Sequence, residues 1–372
     1  MRKVMKFGGT SVGSAEAMAR TADIVLSYDC QRAVVVSAMA GVTNSLIEVM
    51  GEGRREVQEY LGWLRQRHLD VAMKGVSKEL MPDYLEQLEH RLSGLGHLIH
   101  LYRQDEDRIM YQDAVSSWGE RLSSLTLAFI LRSRGADAVA LTSEEAGIAA
   151  TGPPGNGSAV LPATEANLKR TVVPLLREGK VPIITGYYGV DDRGRPLTFG
   201  RGGSDYSAAV IGYGVDADAV EIWTDVDGFM SADPRVVKGV RTIAEMDYGE
   251  AAELAYFGAK VLHPRTIEPA KRKGVVVTVK NTFNPSGQGT RIHRLSRSSD
   301  DLLRSVALKT GLAIAKVYSS EVVYQPELVA RVLEAISADG TTVYAVSTSL
   351  STLAVAVPSA SVEDVCARLK IG

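Results

Sequence analysis

The chain has 372 residues, enough for two domains with a sizeable core in the larger. It is 45% hydrophobic and 23% charged, an ordinary globular balance, and a net charge of −2 gives no bulk argument for nucleic acid or an anionic membrane. Cys30 and Cys366 lack metal-ligand or CxxC spacing, which points to reduced thiols and a cytoplasmic protein.

The first strand runs into glycine too soon for a signal peptide, and no stretch reaches the roughly 18 apolar residues a membrane helix needs. Val4–Phe7 and Ala33–Ser37 are short β-branched runs that end in small residues, the pattern of buried parallel strands. Between them 14–27 predicts a helix, with Met18, Ala22 and Val25 on one face. Residues 51–135 read as helical, and Leu85, Leu88, Leu92, Leu95 and Ile99 form one apolar stripe. Strands return at 138–141, 181–185, 220–223 and 275–280, which makes 1–295 one large α/β domain. A polar boundary at 294–301 precedes a βαββα order: strand 306–317, helix 326–337, strands 342–347 and 353–357, helix 362–369.

Four loops carry candidate chemistry. In Lys6-Phe7-Gly8-Gly9-Thr10-Ser11 the glycines let backbone N–H groups approach phosphate, with a helix N-terminus close behind. The lysine precedes the glycines, and Ser14 stands where a Walker A loop needs its lysine, so this is not that loop. In Gly200-Arg201-Gly202-Gly203-Ser204-Asp205 an arginine fork suited to carboxylate or phosphate is flanked by glycines. Acids in Thr224-Asp225-Val226-Asp227-Gly228 read either as ribose or Mg-water contacts or as turn formers. Lys260, in Phe257–Pro264, reads either as a nucleotide contact or as a solvated lysine, and His263 beside it reads as structural.

Six stretches in order, "KFGGTSV" (6–12), "SAMAGVTN" (37–44), "GERLSS" (119–124), "GRGGSDYSA" (200–208), "WTDVDGFMSADPR" (223–235) and "FGAKVLHP" (257–264), resemble the aspartate kinases of the amino acid kinase family. The resemblance implies a three-layer αβα fold with a mainly parallel central sheet, followed by a small ferredoxin-like (ACT-type) α+β module. It implies ATP- and Mg²⁺-dependent phosphorylation of the L-aspartate side-chain carboxylate, the first step of aspartate-family amino acid biosynthesis, including lysine and threonine. Carried over residue by residue, Lys6, Gly8, Gly9 and Asp205 would serve catalysis. Ser37, Thr43, Glu120, Arg201 and Ser204 would bind aspartate. Lys6, Thr224, Asp225, Met230, Arg235, Lys260 and Val261 would face ATP, with no protein metal ligands, since Mg²⁺ would sit on ATP phosphates and water. Met230 departs from the tyrosine many relatives carry there. The alternatives are a family member that phosphorylates a different amino acid or small carboxylate and a non-catalytic regulatory subunit.

Residues 303–372 read as a single, incomplete ACT-type module, half a sandwich with an open sheet edge. Covering that edge implies a homodimer or larger homo-oligomer paired through this module, with no nucleic acid or membrane partner.

Overall fold

The structure, a computed structural model, describes residues 1–51, 56–258, 261–295, 304–320 and 326–371. Two compact units emerge, Met1–Ala307 and Leu308–Gly372. The larger is built on eight strands: β1 (Arg2–Phe7), β2 (Gln31–Val36), β3 (Ala138–Leu141), β4 (Val181–Thr185), β5 (Ala219–Thr224), β6 (Glu245–Met246), β7 (Val276–Asn281) and β8 (Thr290–Ile292). Their order is β6-β8-β7-β5-β1-β2-β4-β3, and every pairing except β7–β8 is parallel.

Alternation along the central strands splits the core in two. Met5, Phe7, Val34 and Val36 face helices α1 (Ala15–Leu26), α2 (Val42–Met50), α3 (Val57–Gly75), α4 (Met81–Gln104), α5 (Ile109–Ser116) and α6 (Trp118–Ser133). Val4, Ala33, Val35 and Ile222 face α7 (Leu161–Arg177), α8 (Gly203–Gly214) and α9 (Ile267–Lys273). Both sheet faces are thus covered, which is why these strands read as continuous apolar runs. The first strand lies mid-sheet with β2 and β5 beside it, so the loops after all three open at one edge, where open α/β sheets bind ligands.

The stripe of α4 lies one residue from its expected start. Tyr84, Leu88, Leu92, Leu95 and Ile99 are buried, while Leu85 is only half-buried. Tyr84 tolerates that place because its hydroxyl meets Thr126 Oγ1 at 3.1 Å.

The smaller unit has β9 (Leu312–Tyr318), α10 (Pro326–Ser337), β10 (Ala345–Thr348), β11 (Thr352–Pro358) and α11 (Val362–Ile371). Its sheet order is β9-β11-β10, all antiparallel, with Leu353, Val355 and Val357 buried beneath Val332, Ile336 and Val365. The strand expected over 306–317 starts only at Leu312: Gly311 is left-handed (φ 73°), which breaks an extended run. Arg304 pairs with Glu250 and Val306 N–H donates to Ser231 O, so this stretch belongs to the larger unit. Most of the expected 294–301 boundary, residues 296–301, lies outside the described residues.

Candidate active site

Lys6 sits one residue before the end of β1, paired with Val35 and Ile222 on the flanking strands. Its side chain is buried, and Nζ lies 2.6 Å from Asp205 Oδ1, in the first turn of α8. A Cβ on Gly8 would stand 3.4 Å from that Nζ, so the ammonium rides directly over the turn. The Gly8 N–H leans on Trp223 O at a long 3.4 Å. The Gly8–Ser14 loop packs against the loop after β2: Ala40 N–H donates to Gly9 O at 3.1 Å, and a Cβ on Gly9 would come within 2.9 Å of Ala38 O. Two buried hydroxyl contacts hold this arrangement, Ser11 Oγ with Thr282 Oγ1 at 2.9 Å and Thr21 Oγ1 donating to Ser11 O at 2.8 Å. Ser14 caps α1, accepting from Ala17 N–H, so the positive end of that helix opens beside the loop.

Glu120 enters from the opposite layer. Its neighbour Gly119 lets α6 approach the second loop so closely that a Cβ there would lie 2.4 Å from Ala38 Cβ. The Glu120 carboxyl is buried, and burial pushes its pKa up to about 8 despite the amides of Ala38 and Glu120 and the charges of Lys6 and Arg121. Its Oε2 has no hydrogen-bond partner among the described residues.

These pieces enclose a cleft of about 390 Å³. Lys6, Gly9, Ser37, Thr43, Glu120, Ser204 and Asp205 line it, so the structure brings most of the expected acceptor-side residues together. Arg201 is exposed between Gly200 and Gly202, which do line the cleft; it makes no hydrogen bond or ion pair among the described residues and stands at the rim.

Of the residues expected to face ATP, Lys6 lines this cleft, whereas Thr224, Asp225, Met230, Arg235 and Val261 do not. Thr224 ends β5, and its hydroxyl donates to Asp225 Oδ1 at 3.1 Å. Asp225 is exposed, and half-buried Met230 bridges to Thr242. Arg235 is exposed and forks onto Asp233 at 2.7 and 3.0 Å. Val261 is half-buried against the core beneath α7 and α8, and Lys260 lies outside the described residues. His263 packs against the Gly202 turn, a structural place, and burial lowers its pKa.

Sequence reasoning missed Asn44, Met39 and Tyr187 in the cleft wall. Tyr187 holds φ 79°, rare for a residue with a side chain, and its ring lies where a Gly203 side chain would stand. The signal available was Gly186-Tyr187-Tyr188-Gly189 at the end of an identified strand.

The model of the amino acid kinase family matches residues 1–281. Lysine-sensitive aspartokinase 3 of Escherichia coli K12 is 35% identical, over 93% of this chain and 76% of its own length. Chloroplastic aspartokinase 3 of Arabidopsis thaliana is 34% identical, over 93% of this chain and 62% of its own length. The chain spans 61–64% of the length of the three chloroplastic Arabidopsis aspartokinases. The solved structure of Escherichia coli aspartokinase III in complex with aspartate and ADP superposes with a TM-score of 0.84 at 32% identity, over 96% of this chain and 79% of that one.

Proposed function

The chain belongs to the amino acid kinase family, among the aspartokinases, and from that premise we propose that it uses ATP to phosphorylate the side-chain carboxylate of L-aspartate. The product is 4-phospho-L-aspartate, the first intermediate of aspartate-family amino acid synthesis. The observation that carries this reading is Glu120, a buried acid with a free oxygen in a cleft shared with Lys6. Such an acid favours a substrate that bears an ammonium and disfavours a plain dicarboxylate.

The acceptor is a carboxylate, ionised above its free pKa of about 3.9, so no general base is required. The work is to hold two anions in line and offset their repulsion. Lys6 neutralises charge on the transferring phosphoryl group, and the Gly8–Gly9 turn supplies close backbone approach. Glu120 takes the substrate ammonium. Ser37, Thr43 and Ser204 contact the aspartate carboxylates, and Arg201 swings in from the rim onto the α-carboxylate. Asp205 fixes Lys6, which it already meets at 2.6 Å. Thr224, Asp225, Met230, Arg235, Lys260 and Val261 serve the nucleotide.

Among the described residues no three His, Cys, Asp or Glu side chains converge as a metal-binding group. Mg²⁺ would be carried by ATP phosphates and water, where it would offset phosphate charge. No helix among the described residues is long and apolar enough to cross a membrane, and Cys30 and Cys366 are free thiols. A coupled ADP-release assay with aspartate, glutamate and homoserine tests the proposal. Turnover with aspartate alone is expected; turnover with another acceptor, or with none, refutes it.

A further inference from the structure

Arg265 is half-buried behind the acceptor loop and lines no part of the cleft. Its guanidinium nevertheless makes four hydrogen bonds to two other chain segments. Nη1 donates to Phe199 O at 3.0 Å and Asn156 Oδ1 at 3.1 Å; Nη2 donates to Gly157 O at 2.7 Å and Ser158 Oγ at 2.9 Å. Its flat face lies over the Tyr206 ring at 4.9 Å, and the Tyr206 hydroxyl accepts from Ala159 N–H at 3.2 Å. One planar fork therefore joins the 156–159 strap, the last residue before Gly200, and the first turns of α8.

We propose that Arg265 is a positioning residue for aspartate binding: it holds the Gly200–Asp205 loop in its productive shape from behind, without touching substrate. This inference rests on the acceptor-side assignment given above. Gly200 and Gly202 have φ of 71° and 68°, so the loop is made of residues with little conformational preference of their own. One turn bond lies inside the loop, Gly203 N–H donating to Gly200 O at 3.0 Å, and the remaining anchors come from outside it. Fixed points stand on every side: Arg265 holds Phe199 O, the His263 side chain fills the space beside Gly202, and Asp113 accepts from Thr198 N–H and Gly155 N–H, each at 2.8 Å. Of these, Arg265 alone ties the loop's entrance to the helix that carries Ser204 and Asp205. A lysine keeps the charge and loses the fork.

The test uses the full chain with Arg265→Ala and Arg265→Lys. Each should raise the aspartate KM about tenfold or more while the ATP KM stays within about twofold, the split expected when one substrate's site loosens. Amide exchange in the 199–205 segment should speed up in both, and guanidinium ion should partly restore the alanine variant. An unchanged aspartate KM with unchanged exchange overturns the proposal, as does an equal rise in both KM values with a general loss of thermal stability. If Arg265→Ala does not fold, Arg265→Lys carries the test. If the parent chain does not use aspartate, the functional reading falls separately. The loop exchange then still decides the positioning role: faster exchange supports it and unchanged exchange overturns it.

Discussion

Glu120 shows how one residue can make binding depend on pH. Burial lifts its pKa from the ordinary 4.5 to about 8. At neutral pH the folded chain therefore holds a proton there that the unfolded chain has released. Stability from this group is fully present below about 4.5 and is lost as pH rises through about 8. Glu120→Gln should match the parent's melting temperature near pH 5 and exceed it near pH 9. Catalysis should run the other way, because a substrate ammonium pairs with the ionised carboxyl and its arrival releases the proton. The parent's kcat/KM for aspartate should climb between pH 6 and about 8 and then level, while the glutamine variant stays low and flat. A parent profile that is flat over this window would remove Glu120 from substrate recognition. The residue stood out in sequence only through its "GERLSS" context, since a lone glutamate near a helix start otherwise reads as solvated.

Elements position that glutamate, through a close contact between α6 and the loop after β2. Gly119→Ala should favour the helix by up to about 1 kcal/mol in isolation. Here its Cβ would sit 2.4 Å from Ala38 Cβ and 3.1 Å from Val42 Cγ1, so α6 or the loop must shift. The expected result is an aspartate KM raised about tenfold, with the ATP KM nearly unchanged. Gly62→Ala, in α3 where no atom lies within 4 Å, is the control and should leave both constants alone. Equal behaviour of the two variants would argue against a close-approach role for Gly119. Such contacts also explain what the sequence hid. The central strands and α1 were legible because apolar runs and local periodicity report them directly. Tyr84 was passed over for Leu85 because a hydroxyl reads as polar until its Thr126 partner, far along the chain, is known. Tyr187, Asp113 and Arg265 act through backbone geometry or through partners in distant segments, such as Asp113 with Thr198, and no spacing rule reaches them.

At the scale of the whole molecule, the βαββα order of the smaller unit was legible from its alternating strands, but which sheet face stays open was not. Leu353, Val355 and Val357 point to the helices. On the other face Ile314 pairs with Ala356, which pairs with Ala345, and Tyr318 pairs with Thr352. Ile314 is 64% exposed and Tyr318 71%, and every residue of the edge strand β10 is exposed. Lys316 and Ser347 share this face, so it is mixed rather than wholly apolar, yet exposed Ile314 and Tyr318 beside an unpaired edge still favour association. A second copy of the chain would cover both, so we expect a homodimer joined through this sheet. Ile314→Lys combined with Tyr318→Lys places two charges on the face without touching the Val332–Val365 side of the unit. Sedimentation equilibrium should give a dimer mass for the parent at micromolar concentration and a monomer mass for the double variant, with equal helical signal by circular dichroism. A monomeric parent, or a double variant that stays dimeric, would move the contact away from this face. Because the face lies outside the catalytic unit, the monomeric variant should keep its aspartate KM, which separates assembly from substrate binding.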